Sequence, residues 1–304
     1  MSEKQFVERM CSDAANAPDS VEIFAVRQFS IDENTRRAKR LIGATAEMCS
    51  VSMDRADWQQ QADRTVARLP HGGRAVVYHA SGALKLVTGL APMESLFEKV
   101  EPRERLQKMV AAAVEQLRIK DWVGQRESLA FERLWQIKAA AADRKQSAIE
   151  PVLCRVVGAY RQSVGKLPVF GAASVAIKLA AGGTLDAVAM QLLEPSGDPL
   201  ESAALIGPDQ AAKQIYLQLA SLMGRSKVPV DELKASTQPL QLGYIHLGKR
   251  KSQRVLAPHY IASIEIDGEE AQAYQFIVPA TEKTFQPLCF AGQQPPPAQL
   301  RRAA

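Results

Sequence analysis

Apolar positions recur along the chain with two different periods. Over residues 21–29 they alternate with polar ones (Val21, Ile23, Ala25). This predicts a strand, because successive strand side chains point to opposite faces. Asp32 offers an N-cap ahead of a helix over 36–42. Residues 58–69 are polar and show no decisive period, and His71-Gly72-Gly73 is a turn signal. Two short apolar runs, 74–78 and 84–88, flank Ala80-Ser81-Gly82-Ala83 and read as a hairpin. Residues 93–120 read as a helix. Pro102 suits a first helical position, and Leu106, Met109, Val110, Val114 and Leu117 form one face. A second helix is expected over 127–144, where Phe131, Leu134, Trp135 and Lys138 fall at helical spacing ahead of four alanines.

Beyond Pro151 the period changes. Residues 152–164 are rich in β-branched and aromatic side chains, and 175–179 and 185–192 flank Ala181-Gly182-Gly183-Thr184 as a second hairpin. Pro208 and Asp209 open a helix carrying Ala212, Ile215, Tyr216, Leu219 and Leu222, with Gly224 as its stop. Strands are expected over 240–247, 255–266 and 271–279, the last two joined by a tight Asp267-Gly268 turn. The segments 75–87 and 175–188 share the plan strand, small-residue turn, strand. The resulting expectation is an α+β fold of two related units with antiparallel sheets packed against helices. Its parts are a loose leader (1–20), an N-terminal unit (21–95), a helical connector (96–150), a second unit (151–290) and a disordered tail (291–304).

Composition narrows the function. Of 304 residues, 46% are hydrophobic and 23% charged, the mixture of a chain that buries a core. The net charge of +5 is a mild excess on this length. It permits an acidic partner without requiring one. No apolar run approaches the roughly 20 residues that span a bilayer, and the first residues have no apolar stretch of the secretory kind. The expectation is therefore a cytoplasmic protein that does not insert in membranes. Cys11, Cys49, Cys154 and Cys289 are scattered, with no pair at C-x-x-C spacing, and read as free thiols.

The stretch from Gly158 through Tyr160, Gly165, Leu167, Pro168, Val169 and Phe170 to Gly171 carries a recognisable pattern: an aromatic-rich strand, then Gly, then Pro-Val-x-Gly, then a further hairpin. It resembles the propeptides of fungalysin and thermolysin-like proteases. The order that follows, with an Ala-containing helix, long strands and the segment Leu256-Ala257-Pro258-His259-Tyr260, is similar to a PepSY-type unit. In this chain Lys166 sets Gly165 one place further from Pro168 than the propeptide pattern has it. The resemblance spans about residues 125–285. It implies tandem PepSY-like units that bind or chaperone a protein partner, or inhibit a peptidase.

The peptidase's own chemistry is absent. The sequence has no H-E-x-x-H, and His71, His79, His246 and His259 show no i, i+4 pairing. No Walker-type phosphate loop, nucleophile elbow or dinucleotide fingerprint occurs, and Gly248-Lys249 is followed by Arg250 where a phosphate loop has a hydroxyl residue. No catalytic residue, metal ligand or cofactor is assigned. Two charged patches remain. Lys249, Arg250, Lys251 and Arg254 crowd one loop, flanked by His246, His259 and Tyr260. Glu265, Asp267, Glu269 and Glu270 surround the last hairpin turn, where they suit a strand edge kept from pairing. The basic loop lacks the interleaved aromatics of single-strand nucleic-acid binders, which favours an acidic protein or peptide over nucleic acid. A non-catalytic binding module is the leading expectation. One alternative is an enzyme with His246, His259, Tyr260 and Glu265 in a cleft. Another is an assembly subunit that pairs through sheet edges.

Overall fold

The computed structural model describes residues 2–12, 18–49, 55–99, 101–140, 150–225, 235–266, 272–286 and 288. Among them are four α-helices: α1 (Glu3–Met10), α2 (Ile31–Cys49), α3 (Arg103–Gln116) and α4 (Pro208–Arg225). The first strands are β1 (Ser20–Val26), β2 (Asp57–Gln60), β3 (Arg64–Arg68), β4 (Arg74–Tyr78) and β5 (Leu84–Val87). Next come β6 (Glu127–Ala139), β7 (Val152–Val164), β8 (Leu167–Phe170), β9 (Val175–Leu179), β10 (Leu185–Met190) and β11 (Pro195–Ala204). The last are β12 (Ala235–Thr237), β13 (Gln241–Ile245), β14 (Val255–Leu256), β15 (Pro258–Ile266) and β16 (Gln272–Pro279). The chain is a mixed α+β protein rich in antiparallel pairing. None of its described helices is long and apolar enough to cross a membrane. The expected Asp267-Gly268 turn, Asp267, Glu269, Glu270, Cys289 and the tail 291–304 lie outside the described residues.

Two compact units form. The larger comprises Phe24–Pro199 and Leu242–Leu256; the smaller draws on the described residues of Met1–Ile23, Leu200–Gln241 and Ala257–Ala304. In the larger unit the strand order is β2-β3-β4-β5-β10-β9-β7-β8-β13, with β6 along the other side of β7. Every neighbour is antiparallel except β8 and β13, which run parallel with Tyr244 opposite Val169. The two repeated hairpins sit side by side here: β5 pairs with β10, setting Leu84 opposite Met190 and Leu86 opposite Val188. This corrects the division into separate units over 21–95 and 151–290. Each hairpin alone has free edges, and they satisfy one another's backbone groups.

Helix α2 lies over β4, β5 and β10, and α3 over β7 and β9. The core between them contains Leu41, Val77, Leu86, Leu106, Val110, Val156, Ile177 and Val188. Helix α2 starts one turn before the expected 36–42. Its cap is Ser30 rather than Asp32: Ser30 Oγ accepts from Glu33 N–H at 3.2 Å, and Glu33 accepts from Ser30 N–H at 2.9 Å. This reciprocal pair is a capping box.

The expected helical connector is corrected in both halves. Of 93–120 only Arg103–Gln116 is α-helical, followed by a 3-10 turn over Ile119–Trp122. The segment before it is held open by Arg155, which donates to the carbonyls of Ala91 (2.6 Å) and Glu94 (3.0 Å) and is paired with Asp186 at 2.8 Å. Lys178 joins the same carboxylate at 3.0 Å. The buried arginine is thus charge-balanced, and it takes up carbonyl groups that a helix would have used internally. Residues Glu127–Ala139 form a strand, not a helix. A bulge explains the misleading period. Phe131 pairs with Tyr160 and Arg133 with Ala159, so Glu132 is the extra residue. Leu134 then pairs with Gly158, two residues from Tyr160, and shares a face with Phe131. A bulged strand thereby produces an i, i+3 apolar spacing that reads as helix.

The smaller unit has an antiparallel sheet β12-β15-β16. Helix α4 packs on β15 and β16, and α1 on α4. The loose leader is corrected: residues 3–10 are a helix closed by a capping box between Ser2 and Gln5. Phe6 and Met10 are buried, and the Phe6 ring meets Tyr216 at 5.5 Å.

Helix α3 comes close to β7 at Gly158. A Cβ there would lie 2.1 Å from Val110 Cγ1. Gly158→Ala is expected to destabilise the protein by about 1–3 kcal/mol through overpacking. Adding Val110→Ala should return less than the full cost, because it relieves the clash but opens a cavity. Urea unfolding of the two variants checks this. A Gly158→Ala protein as stable as wild type would contradict the close approach.

Candidate functional site

The basic loop between β13 and β14 lies within the larger unit. Lys249, Arg250, Lys251 and Arg254 are all exposed. None of the four forms an ion pair among the described residues. The loop backbone is nonetheless fixed. Gln253, buried inside it, donates to the carbonyls of Ile245 (2.7 Å) and Val255 (3.2 Å) and accepts from Leu247 N–H at 3.0 Å. Gln28 donates to the Gln253 carbonyl at 2.8 Å, and Ser252 donates to Gln28 Oε1 at 3.0 Å. Ser81, in the β4–β5 turn, donates to the Lys249 carbonyl at 2.7 Å. The Lys249 ammonium sits 5.2 Å from the Tyr78 ring centroid, a cation–π distance. Sequence reading missed Gln253, Gln28, Ser81 and Tyr78. Gln253 lies in a run of cations and polar residues, and nothing in its spacing marks it as buried.

The Leu167–Phe170 motif is the platform for this loop. Strand β8 holds β13 in parallel, and Phe170 O accepts from His246 N–H at 2.9 Å. Gly243 permits the contact: a Cβ there would meet Phe170 Cε2 at 2.4 Å and the Pro168 carbonyl at 2.5 Å. Arg161 clamps the end of the motif, donating to Val169 O at 2.9 Å and Ala172 O at 3.1 Å.

The two histidines are structural in their surroundings. His246 is buried at the base of the loop, with Nδ1 accepting from Gly248 N–H at 2.9 Å. Its proton therefore resides on Nε2, which is buried without a partner among the described residues. Burial lowers its pKa to about 4, only partly opposed by its own backbone carbonyl. His259 and Tyr260 belong to the smaller unit, as does Glu265. His259 lies 2.9 Å from the Ala257 carbonyl, and its pKa is lowered, again by burial. Tyr260 is 1% exposed and donates to Ile206 O at 3.1 Å. Burial, followed by the nearby Cys11, raises its pKa. The four cations and His246 thus share one loop and its base, whereas His259 and Tyr260 belong to a different core.

Among the described residues no group of three or more His, Cys, Asp or Glu is placed to hold a metal ion. Cys11, Cys49 and Cys154 are free. A cavity of about 670 Å³ in the larger unit is lined by Cys49, His71, Thr88 and Glu94. Burial raises the Cys49 pKa, the opposite of what a nucleophilic thiolate needs.

Fold and surface together define a mixed α+β protein with a hydrogen-bonded cationic loop that forms no ion pair among the described residues. Its architecture is similar to that of a solved structure, an uncharacterized protein from Eubacterium rectale ATCC 33656. The two share 10% identity over 86% of this chain and 85% of that one, with a TM-score of 0.54. At that identity the likeness concerns the fold alone. No family model matches the chain, and no curated protein matches it.

Two outcomes follow from the buried groups. A histidine whose folded pKa lies below its unfolded value contributes its full stability above the unfolded value of about 6.5 and loses it as pH falls toward 4. His246→Asn keeps an acceptor for Gly248 N–H and removes the titration. Its unfolding free energy should therefore fall less than wild type's between those pH values, by on the order of 2 kcal/mol. Identical pH profiles would mean that His246 is solvated. Tyr260→Phe should cost about 1–2 kcal/mol, because the Ile206 carbonyl is left buried and unpaired. Thermal melting reads this directly.

Proposed function

We propose that this chain is a non-catalytic protein- or peptide-binding module that recognises an acidic segment through the loop carrying Lys249, Arg250, Lys251 and Arg254. One observation carries the reading: four exposed cations, without carboxylate partners among the described residues, stand on a loop whose backbone is pinned by Gln253, Gln28 and Ser81. A solubilising loop has no need of that rigidity. A binding loop gains from it, because less conformational freedom is lost on association. The resemblance of Leu167–Gly171 and its surroundings to protease propeptides supports the same class, chaperone-like or inhibitor-like, since such modules act by gripping a polypeptide. The motif supports the basic loop in place rather than contributing reactive groups of its own.

The test is fluorescence anisotropy with a labelled Asp/Glu-rich peptide at low and at physiological salt. The wild-type chain is expected to bind it, and more weakly as salt rises. Replacing Lys249, Arg250, Lys251 and Arg254 with Ser should weaken binding at least tenfold. Replacing four exposed cations elsewhere (Arg68, Arg74, Lys85 and Lys108) should change it little. Equal losses from both sets would reduce the effect to net charge and remove the loop as a site. Tighter binding of a single-stranded oligonucleotide than of the peptide would move the reading to nucleic acid.

A further inference from the structure

Strand β6 is 13 residues long and pairs only with β7 among the described strands. Among the described residues no strand covers its other edge, and large apolar side chains stand near it on both faces. Phe131, Trp135 and Ile137 on β6, with Val152 opposite its end on β7, are 39%, 42%, 43% and 38% exposed. Among the described residues these are half of the eight large hydrophobic side chains left exposed. A long open edge of this kind is a template for another strand, and folded proteins ordinarily shorten it, cover it or oppose pairing with charge. Charges are present on β6, but their arrangement does not oppose every partner. Glu127 and Glu132 occupy its first half, Arg133 and Lys138 its second.

We propose that β6 pairs antiparallel with β6 of a second copy of this chain, about a two-fold axis passing between Glu132 and Arg133. In that register Glu132 meets Arg133 of the other copy, and Glu127 meets its Lys138. A parallel arrangement in register would set each charge against its like. Arg133 and Lys138 have no ion-pair partner within the chain among the described residues, whereas Glu132 is held by Arg161 at 2.8 Å with its second oxygen free of that bond.

The bulge makes the register geometrically consistent. In a regular strand Phe131 and Leu134 face opposite sides, and an axis between neighbouring residues would set side chains of opposite faces against one another. With Glu132 as the extra residue, Phe131 and Leu134 share a face. Each then lies opposite the other across the axis, while Ala130 and Trp135 do the same on the second face. The resulting isologous contact buries Phe131, Trp135 and Ile137 and extends the sheet across the dimer.

Sedimentation velocity of the full chain across a wide concentration range tests the proposal. A monomer–dimer equilibrium is expected, with amide exchange on β6 slowing as the dimer fills. Arg133→Glu with Lys138→Glu should weaken association at least tenfold, and Arg133→Ser with Lys138→Ser should weaken it less. At concentrations where the wild type is monomeric, both variants should keep its circular dichroism and melting temperature, because all the altered side chains are exposed. Lys249→Ser with Arg250→Ser should leave association unchanged, so this result stands apart from the fate of the basic loop. A chain that remains monomeric throughout would overturn the proposal. So would a dimer indifferent to the β6 variants, or a monomer whose β6 amides become protected only when a foreign extended peptide is added.

Discussion

The close approach of α3 to the middle of β7 is the constraint on which the larger unit depends. Gly158 and Val110 occupy volume that a single methyl group would overfill. Because the helix sits that low, Leu106, Val110, Ala113 and Val114 reach the floor formed by β7 and β9. The length of β7 follows from its place at a junction. It receives β9 and β8 on one side and the whole of β6 on the other. Burying so much of one strand is favourable only when its backbone groups are satisfied along both edges, and the strand arrangement provides for this.

Charge is handled in two ways. Inside, Arg155 is balanced by Asp186, which Lys178 also contacts, and its remaining donors go to backbone carbonyls. This arrangement is expensive to break, since any single deletion leaves a buried charge or dipole unpaired. Outside, the cations of the loop after β13 form no ion pair among the described residues, while the peptide beneath them is held in place. The energetic cost of that uncompensated field is small in water. It remains available to a partner that brings negative charge and excludes solvent.

The same economy applies to sheet edges. The hairpins β4–β5 and β9–β10 close one another's edges, and β13 takes up β8. β6 has one edge that no described strand covers, with large apolar groups beside it. As proposed, the basic loop would take a partner by charge and lose it with salt, and the strand edge would take one by backbone pairing and apolar burial.

Local residue pattern suffices for the elements whose chemistry agrees with their final surroundings. Strand β7, the hairpins β4–β5 and β9–β10, helix α4 and the exposed cations at Lys249, Arg250, Lys251 and Arg254 were all legible from period, β-branching and turn residues. Tertiary structure decided the rest. Residues 127–139 have a helical spacing of apolar groups and good helix formers beyond, yet pairing with β7 and the bulge at Glu132 make them a strand. The segment around Ala91 and Glu94 is held out of a helix by an arginine more than 60 residues away. Helix α1 was invisible because eight residues carry too little pattern, and its stability comes from burial of Phe6 and Met10, Phe6 against Tyr216 of distant α4. The candidate site divides in the same way. Its charges were readable one residue at a time. The burial of Gln253, the neutral state of His246 and the placing of His259 and Tyr260 in another core depend on chain segments that meet only after folding.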